Sequence, residues 1–207
     1  MAKRGRKSIA NERRGQILDA FHICAVRNGL EKASLREVAE EVGLPVSNLH
    51  HFFKNRDEMV SELVKRNMSM VMNDLRAELQ DDSDPRRRFR KSIDFLFGPK
   101  AQHLEDGSLH YDFWSLAHRS ETVRRTYRDQ VQGQRGAIVK GLTETPELME
   151  LSRADMKEIA NVLIALVEGT FYIRDMDGEN VSLARMARLT RRFLELYAEE
   201  KIRGKKL

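Results

Sequence analysis

Five side chains in the stretch PVSNLHHF, residues 45–52, have types and spacing suited to gripping another molecule. With Leu44, Leu49 and Phe53 facing a core, a helix over 45–52 leaves Val46, Ser47, Asn48, His50 and His51 outside. An Asn amide bonds an adenine edge through two hydrogen bonds, Ser and His donate or accept, and Val46 can meet a thymine methyl. Cations flank the set. Lys54 and Arg56 follow it, placed for phosphates; Arg36 and the helix-capping Ser34 precede it, and the Arg36 guanidinium suits a phosphate or a guanine edge. No Ser-His-Asp order, phosphate loop or paired-carboxylate arrangement stands out, so an enzyme is not the expected reading.

These side chains need two short helices to carry them. Ser34 with Glu37 three residues on forms a capping box, and Leu35, Val38, Ala39 and Val42 make an apolar stripe behind it. Gly43 stops that helix after barely two turns, and Pro45 suits the start of the next. Upstream, Ile17, Phe21, Cys24 and Ala25 share one face of a helix that Asn28-Gly29 should end. Downstream, Asn55 caps a helix whose first turn holds Asp57 and Glu58 and which meets no breaker until about Leu79. Two helices joined through a Gly turn, the second polar outside, form a helix-turn-helix pattern, whose second helix can enter the DNA major groove.

The charge agrees with an anionic partner. The 207-residue chain carries a net charge of +5. Its first sixteen residues hold Lys3, Arg4, Arg6, Lys7, Arg13 and Arg14 against the single acid Glu12, so the whole excess lies there. Lys3, Arg4, Arg6 and Lys7 read as a basic arm, too polar to order itself, of the kind that serves on nucleic acid, with a merely solubilising tail as the competing reading. The single cysteine, Cys24, excludes an internal disulfide framework and a Cys-based zinc site. The strongest apolar run, Val162 to Val167, is far too short to span a bilayer, and neither a secretory leader nor a membrane partner is expected. A cytoplasmic location is the expectation.

The stretch SLREVAEEVGLPVSNLHHFFKNRDEMVSELV, with Ile17-Leu18 before it, resembles the TetR family of bacterial transcription regulators. It is similar to that family's Ser/Thr cap, apolar-Ala pair, Gly-apolar turn, Leu-Tyr and Phe-x-x-Lys-Glu pattern, over about fifty residues; His50 stands at the usual Tyr, Arg56 at the usual Lys, Pro45 at a common Ser, and Ser47 at a small residue. The resemblance implies an all-α chain: a three-helix DNA-binding domain over residues 1–55, then a larger helical effector-binding and dimerisation domain over 56–207. It also implies a homodimer on double-stranded DNA, each recognition helix reading one half of a palindromic operator. A small-molecule effector of unknown identity would release a repressor. An architectural or cell-cycle DNA-binding protein without such a switch is the alternative.

Beyond the rod, helices are expected over 85–97, 108–118, 120–142, 153–175 and 182–201. Phe95, His110, Tyr111, Trp114 and Tyr127 are candidates for an effector pocket, with plain core as the competing reading. Val162, Leu166 and Thr170 on one helix and Met186, Thr190, Phe193 and Tyr197 on the next form wide stripes suited to pairing with a second copy. His103, His110 and His118 with Glu105, Asp106 and Asp112 match no compact metal pattern, and no metal or cofactor is expected. DMDGE at 175–179 reads as a Gly turn rather than a calcium loop, and RRRFRK at 86–91 as a solvated helix start.

Overall fold

The computed structural model describes residues 2–101 and 107–204; the side chains of 2–8, 107, 108 and 179 lie outside the described residues. Nine α-helices and no strands are found among the described residues. They are α1 (Ala2–Asn28), α2 (Leu35–Val42), α3 (Val46–Phe52), α4 (Arg56–Leu79), α5 (Pro85–Leu96), α6 (Gly107–Arg119), α7 (Glu121–Glu144), α8 (Arg153–Asp177) and α9 (Leu183–Gly204).

Local signals set most boundaries. The Glu37 amide donates to Ser34 Oγ at 3.2 Å and the Ser34 amide to Glu37 Oε2 at 2.9 Å, completing the capping box of α2. The bond from the Ser34 amide, then a second from the Ser34 hydroxyl to Glu37 Oε2 at 3.1 Å, hold the Glu37 carboxyl below its ordinary pKa. Gly43 closes α2 at φ 67°, left-handed backbone that favours glycine, and the Leu44 amide returns to Ala39 O at 2.9 Å. Asn55 Oδ1 accepts from the Glu58 amide at 2.9 Å, and Asp84 caps α5 with Pro85 in its first turn.

Two expectations need correction. Pro45 is the N-cap of α3, at φ −60° and ψ 142°, so the helix begins one residue later, at Val46. The basic segment is not an irregular arm: α1 runs back to Ala2. Lys, Arg and Ala are good helix formers, and extending an existing helix avoids the cost of nucleation. Because their side chains are outside the described residues, the contacts expected of Lys3, Arg4, Arg6 and Lys7 remain expectations.

The chain packs as two compact units, Met1–Met68 with Leu104–Asp129 and Ser69–His103 with Gln130–Leu207. This grouping follows a different line from a division of roles at residue 55. In the first unit Ile17, Phe21, Cys24, Leu30, Val38, Leu49, Phe53, Met59 and Leu63 share a core with Leu109, Phe113 and Val123. Thus α6 and the start of α7 pack with the helix-turn-helix. In the second, Ile93 and Phe97 of the α5 region join Leu142, Met156, Ile159, Leu163, Leu194 and Ala198.

Candidate nucleic-acid interface

The orientation of α3 follows from its two anchors. Leu49 and Phe53 are 1% and 3% exposed in the first core, and Phe52 packs against it. Helical geometry then turns the other side chains out: Val46, Ser47, His50 and His51 are exposed and Asn48 is half-buried. Lys54, just past the helix, is exposed as well. The sequence-derived reading set therefore lies together on one polar ridge.

The cations around the ridge divide into two kinds. Arg36 is exposed and forms an i,i+4 pair with Glu40 at 3.1 Å, a contact a phosphate can replace at little cost. Ser34 is exposed, but its hydroxyl serves the capping box. Arg56 departs from its expected role. Its Nε donates to Ala33 O at 3.2 Å and a terminal nitrogen donates to Leu30 O, so the guanidinium holds the α1–α2 loop. These part-buried bonds engage its Nε and one terminal nitrogen within the protein.

Sequence reasoning missed three contacts from α6 and from Ser120, the residue after it, to that loop and to α4. The Leu30 amide donates to Asp112 Oδ2 at 3.0 Å, Arg119 pairs with Glu31 at 3.1 Å, and Ser120 Oγ donates to Asp57 Oδ2 at 2.6 Å. The buried i,i+4 pair Leu109 and Phe113 gave α6 an inward face, but periodicity does not say what that face meets.

Residues 17–63 match the model of bacterial regulatory proteins of the tetR family, and residues 85–198, more than half of the chain, match the C-terminal domain of BetI-type transcriptional repressors. The chain is a TetR-family transcriptional regulator. It is 23% identical over 198 residues to the HTH-type transcriptional regulator PksA of Bacillus subtilis strain 168, covering 95% of this chain and 96% of that one. A transcriptional regulator of Pseudomonas aeruginosa PAO1 shares its fold at TM-score 0.80 and 19% identity, with 91% of each chain covered. A regulator from Saccharomonospora viridis, solved in complex with choline, superposes at TM-score 0.71 and 22% identity, covering 89% of this chain and 96% of that one.

DNA binding and transcription regulation are thus the activity of this TetR-family chain. The effector candidates are distributed differently from the expectation. Phe95 is buried in the second unit, whereas His110, Tyr111, Trp114 and Tyr127 belong to the first. The His110 ring meets Tyr111 edge-on at 5.6 Å and stacks with Trp114 at 6.4 Å. Trp114 is 53% exposed, and Tyr127 packs on the first core. Of the metal candidates, His103, Glu105 and Asp106 lie outside the described residues, and Asp112 serves the Leu30 amide.

The outward faces of α8 and α9 hold only part of the expected set. Val162 and Phe193 are 53% and 61% exposed, but Thr170 and Thr190 are buried, and Thr170 Oγ1 donates to Leu166 O at 2.6 Å. Leu166, Met186 and Tyr197 are half-buried against the second core, with the Tyr197 hydroxyl donating to Asp155 at 3.4 Å. The outward faces instead carry Tyr172, Ile173 and Met176 beside Val162 on α8, and Leu189 and Leu196 beside Phe193 on α9. Wide apolar stripes allow several rotations, and only packing chooses one.

The remaining motifs have structural roles. Lys91 and Arg87 pair with the buried Asp82 carboxylate at 3.0 and 3.4 Å, and Arg86 and Arg88 pair with Glu147 and Glu144, so most of the basic run on α5 is neutralised within the second unit. Gly178, at φ 59°, makes DMDGE the turn that ends α8.

Proposed function

We propose that this regulator is a homodimeric repressor that reads a palindromic operator and leaves it when a small molecule binds. The observation that carries the reading is the polar ridge of α3, turned outward over Leu49 and Phe53. Asn48, Ser47, His50 and His51 read base edges in this account, with Val46 at a thymine methyl and Arg36 and Lys54 on the backbone. The exposed apolar faces of α8 and α9 support the dimer: Val162, Ile173, Met176, Leu189 and Phe193 form more exposed apolar surface than scattered single residues would. At Gly169 a Cβ would meet nothing within 4 Å, which leaves room for a partner helix. Half-sites about one helical turn, roughly 34 Å, apart suit two such helices on one side of a duplex.

The effector is proposed to be a small organic cation. The Saccharomonospora viridis regulator holds choline, and aromatic faces such as those of Tyr111 and Trp114 attract quaternary ammonium groups. Release needs a ligand that favours the DNA-free conformation over the bound one. The test is binding-site selection from a random duplex library followed by footprinting, then titration of the complex with choline. A two-fold symmetric footprint that choline weakens is expected. Equal affinity for selected and scrambled duplexes rejects the reading of α3, and a symmetric footprint insensitive to choline rejects only the choice of effector.

A further inference from the structure

Arg14 stands among the N-terminal cations in the sequence, yet its side chain is only 30% exposed. It lies three, four and seven residues before Ile17, Leu18 and Phe21, on the inward face of α1. Its guanidinium meets four groups at the junction of α3 and α4. One terminal nitrogen donates to the carbonyl oxygen of Phe52, the last residue of α3. The other donates to Glu58 Oε1 at 3.0 Å and lies 3.8 Å from Glu62 Oε2. Its central carbon sits 4.1 Å over the ring of Phe53.

Glu58 closes the arrangement from the other side. Its second oxygen accepts from the Lys54 amide at 2.8 Å, and that bond, followed by the one from Arg14, holds the carboxyl below its ordinary pKa. One planar fork therefore joins the end of α3 to the first turns of α4 and covers the Phe53 anchor. A lysine ammonium would keep the charge but not the fixed donor directions of the planar fork or its flat stacking face.

We propose that Arg14 is a positioning residue for DNA recognition, setting the rotation and exit angle of α3 without touching DNA. The inference rests on the reading of α3 as the recognition helix. It places a cation of the basic N-terminal segment among the residues that determine sequence discrimination rather than among the phosphate contacts.

The test compares wild type, Arg14→Lys, Arg14→Met and Glu58→Gln on a duplex selected by the wild-type chain and on its scrambled counterpart, each across a salt series. The readout is the ratio of the two affinities, because a partly unfolded preparation loses both equally and leaves the ratio unchanged. In Arg14→Lys the ratio is expected to fall about five- to a hundredfold, comparable to losing one good base contact. The salt slope on the scrambled duplex is expected to hold at the wild-type value in every variant, rather than drop by the roughly 0.9 that one lost phosphate contact removes. Glu58→Gln, which can still accept from the Lys54 amide, is expected to lower the ratio as well. An undiminished ratio in Arg14→Lys and Glu58→Gln overturns the proposal, as does a flattened slope in Arg14→Met. A wild-type chain that does not discriminate at all overturns the reading of α3 itself.

Discussion

The Ser120 hydroxyl donates to the Asp57 carboxylate at 2.6 Å, tying the residue before α7 to the first turn of α4. The same oxygen accepts from the Val123 amide at 3.4 Å, so Ser120 also caps α7. Ser120→Ala removes both bonds and leaves a partly buried carboxylate without this donor. The expected loss is about 1–3 kcal/mol, measured as a lower urea midpoint, with Ser120→Thr close to wild type.

Arg56 separates structural from DNA-binding cations. Because its guanidinium serves the carbonyls of Leu30 and Ala33, Arg56→Met is expected to cost about 1–3 kcal/mol of stability and leave the salt slope of DNA binding unchanged. Lys54→Ala is expected to do the reverse, with little effect on stability and a slope lower by about one. Melting curves and a salt series on the same preparations check both.

Substitutions on the ridge should act at single base pairs. Asn48→Ala or His51→Ala is expected to cost about 1–3 kcal/mol at particular operator positions, measured against a set of single-base operator variants. Uniform losses over all variants would assign these residues to the backbone instead.

How much of this was legible without the structure depended on the range of the interaction. Ser34, Glu37, Gly43 and Asn55 were readable because each acts within four residues, and all four perform the expected caps and turns. The outward set on α3 was readable because Leu49 and Phe53 mark one side of a short helix. Arg14 and Arg56 were not, since their partners lie 38 and 26 residues away and a charge pattern does not reveal an inward guanidinium. Arg14 did carry a usable sign in its register with Ile17 and Phe21. The alliance of α6 with the helix-turn-helix, and the rotation that buries Thr170 and Thr190, depended on packing between distant segments.

Acid should weaken the second unit through Asp82. The hydrogen bond from Lys91, then the nearby Arg87 charge, hold this carboxyl below its ordinary value of 3.8. A depressed folded-state pKa contributes stability above the unfolded value, and that contribution is lost as pH falls through the folded one. Urea midpoints are therefore expected to decline below about pH 4, and Asp82→Asn to flatten that decline while lowering stability at neutral pH.

The apolar faces of α8 and α9 predict the assembly. Phe193→Asp or Val162→Asp is expected to weaken self-association by about 2–4 kcal/mol, seen as a shift to monomer in sedimentation, whereas the buried Thr170 and Thr190 should act on stability.

The most direct test of the α3 ridge is the affinity ratio between a selected duplex and a scrambled one, measured at several salt concentrations. The account predicts a preference of about a thousandfold or more that persists as salt rises. Equal affinities, falling together with salt, would contradict it.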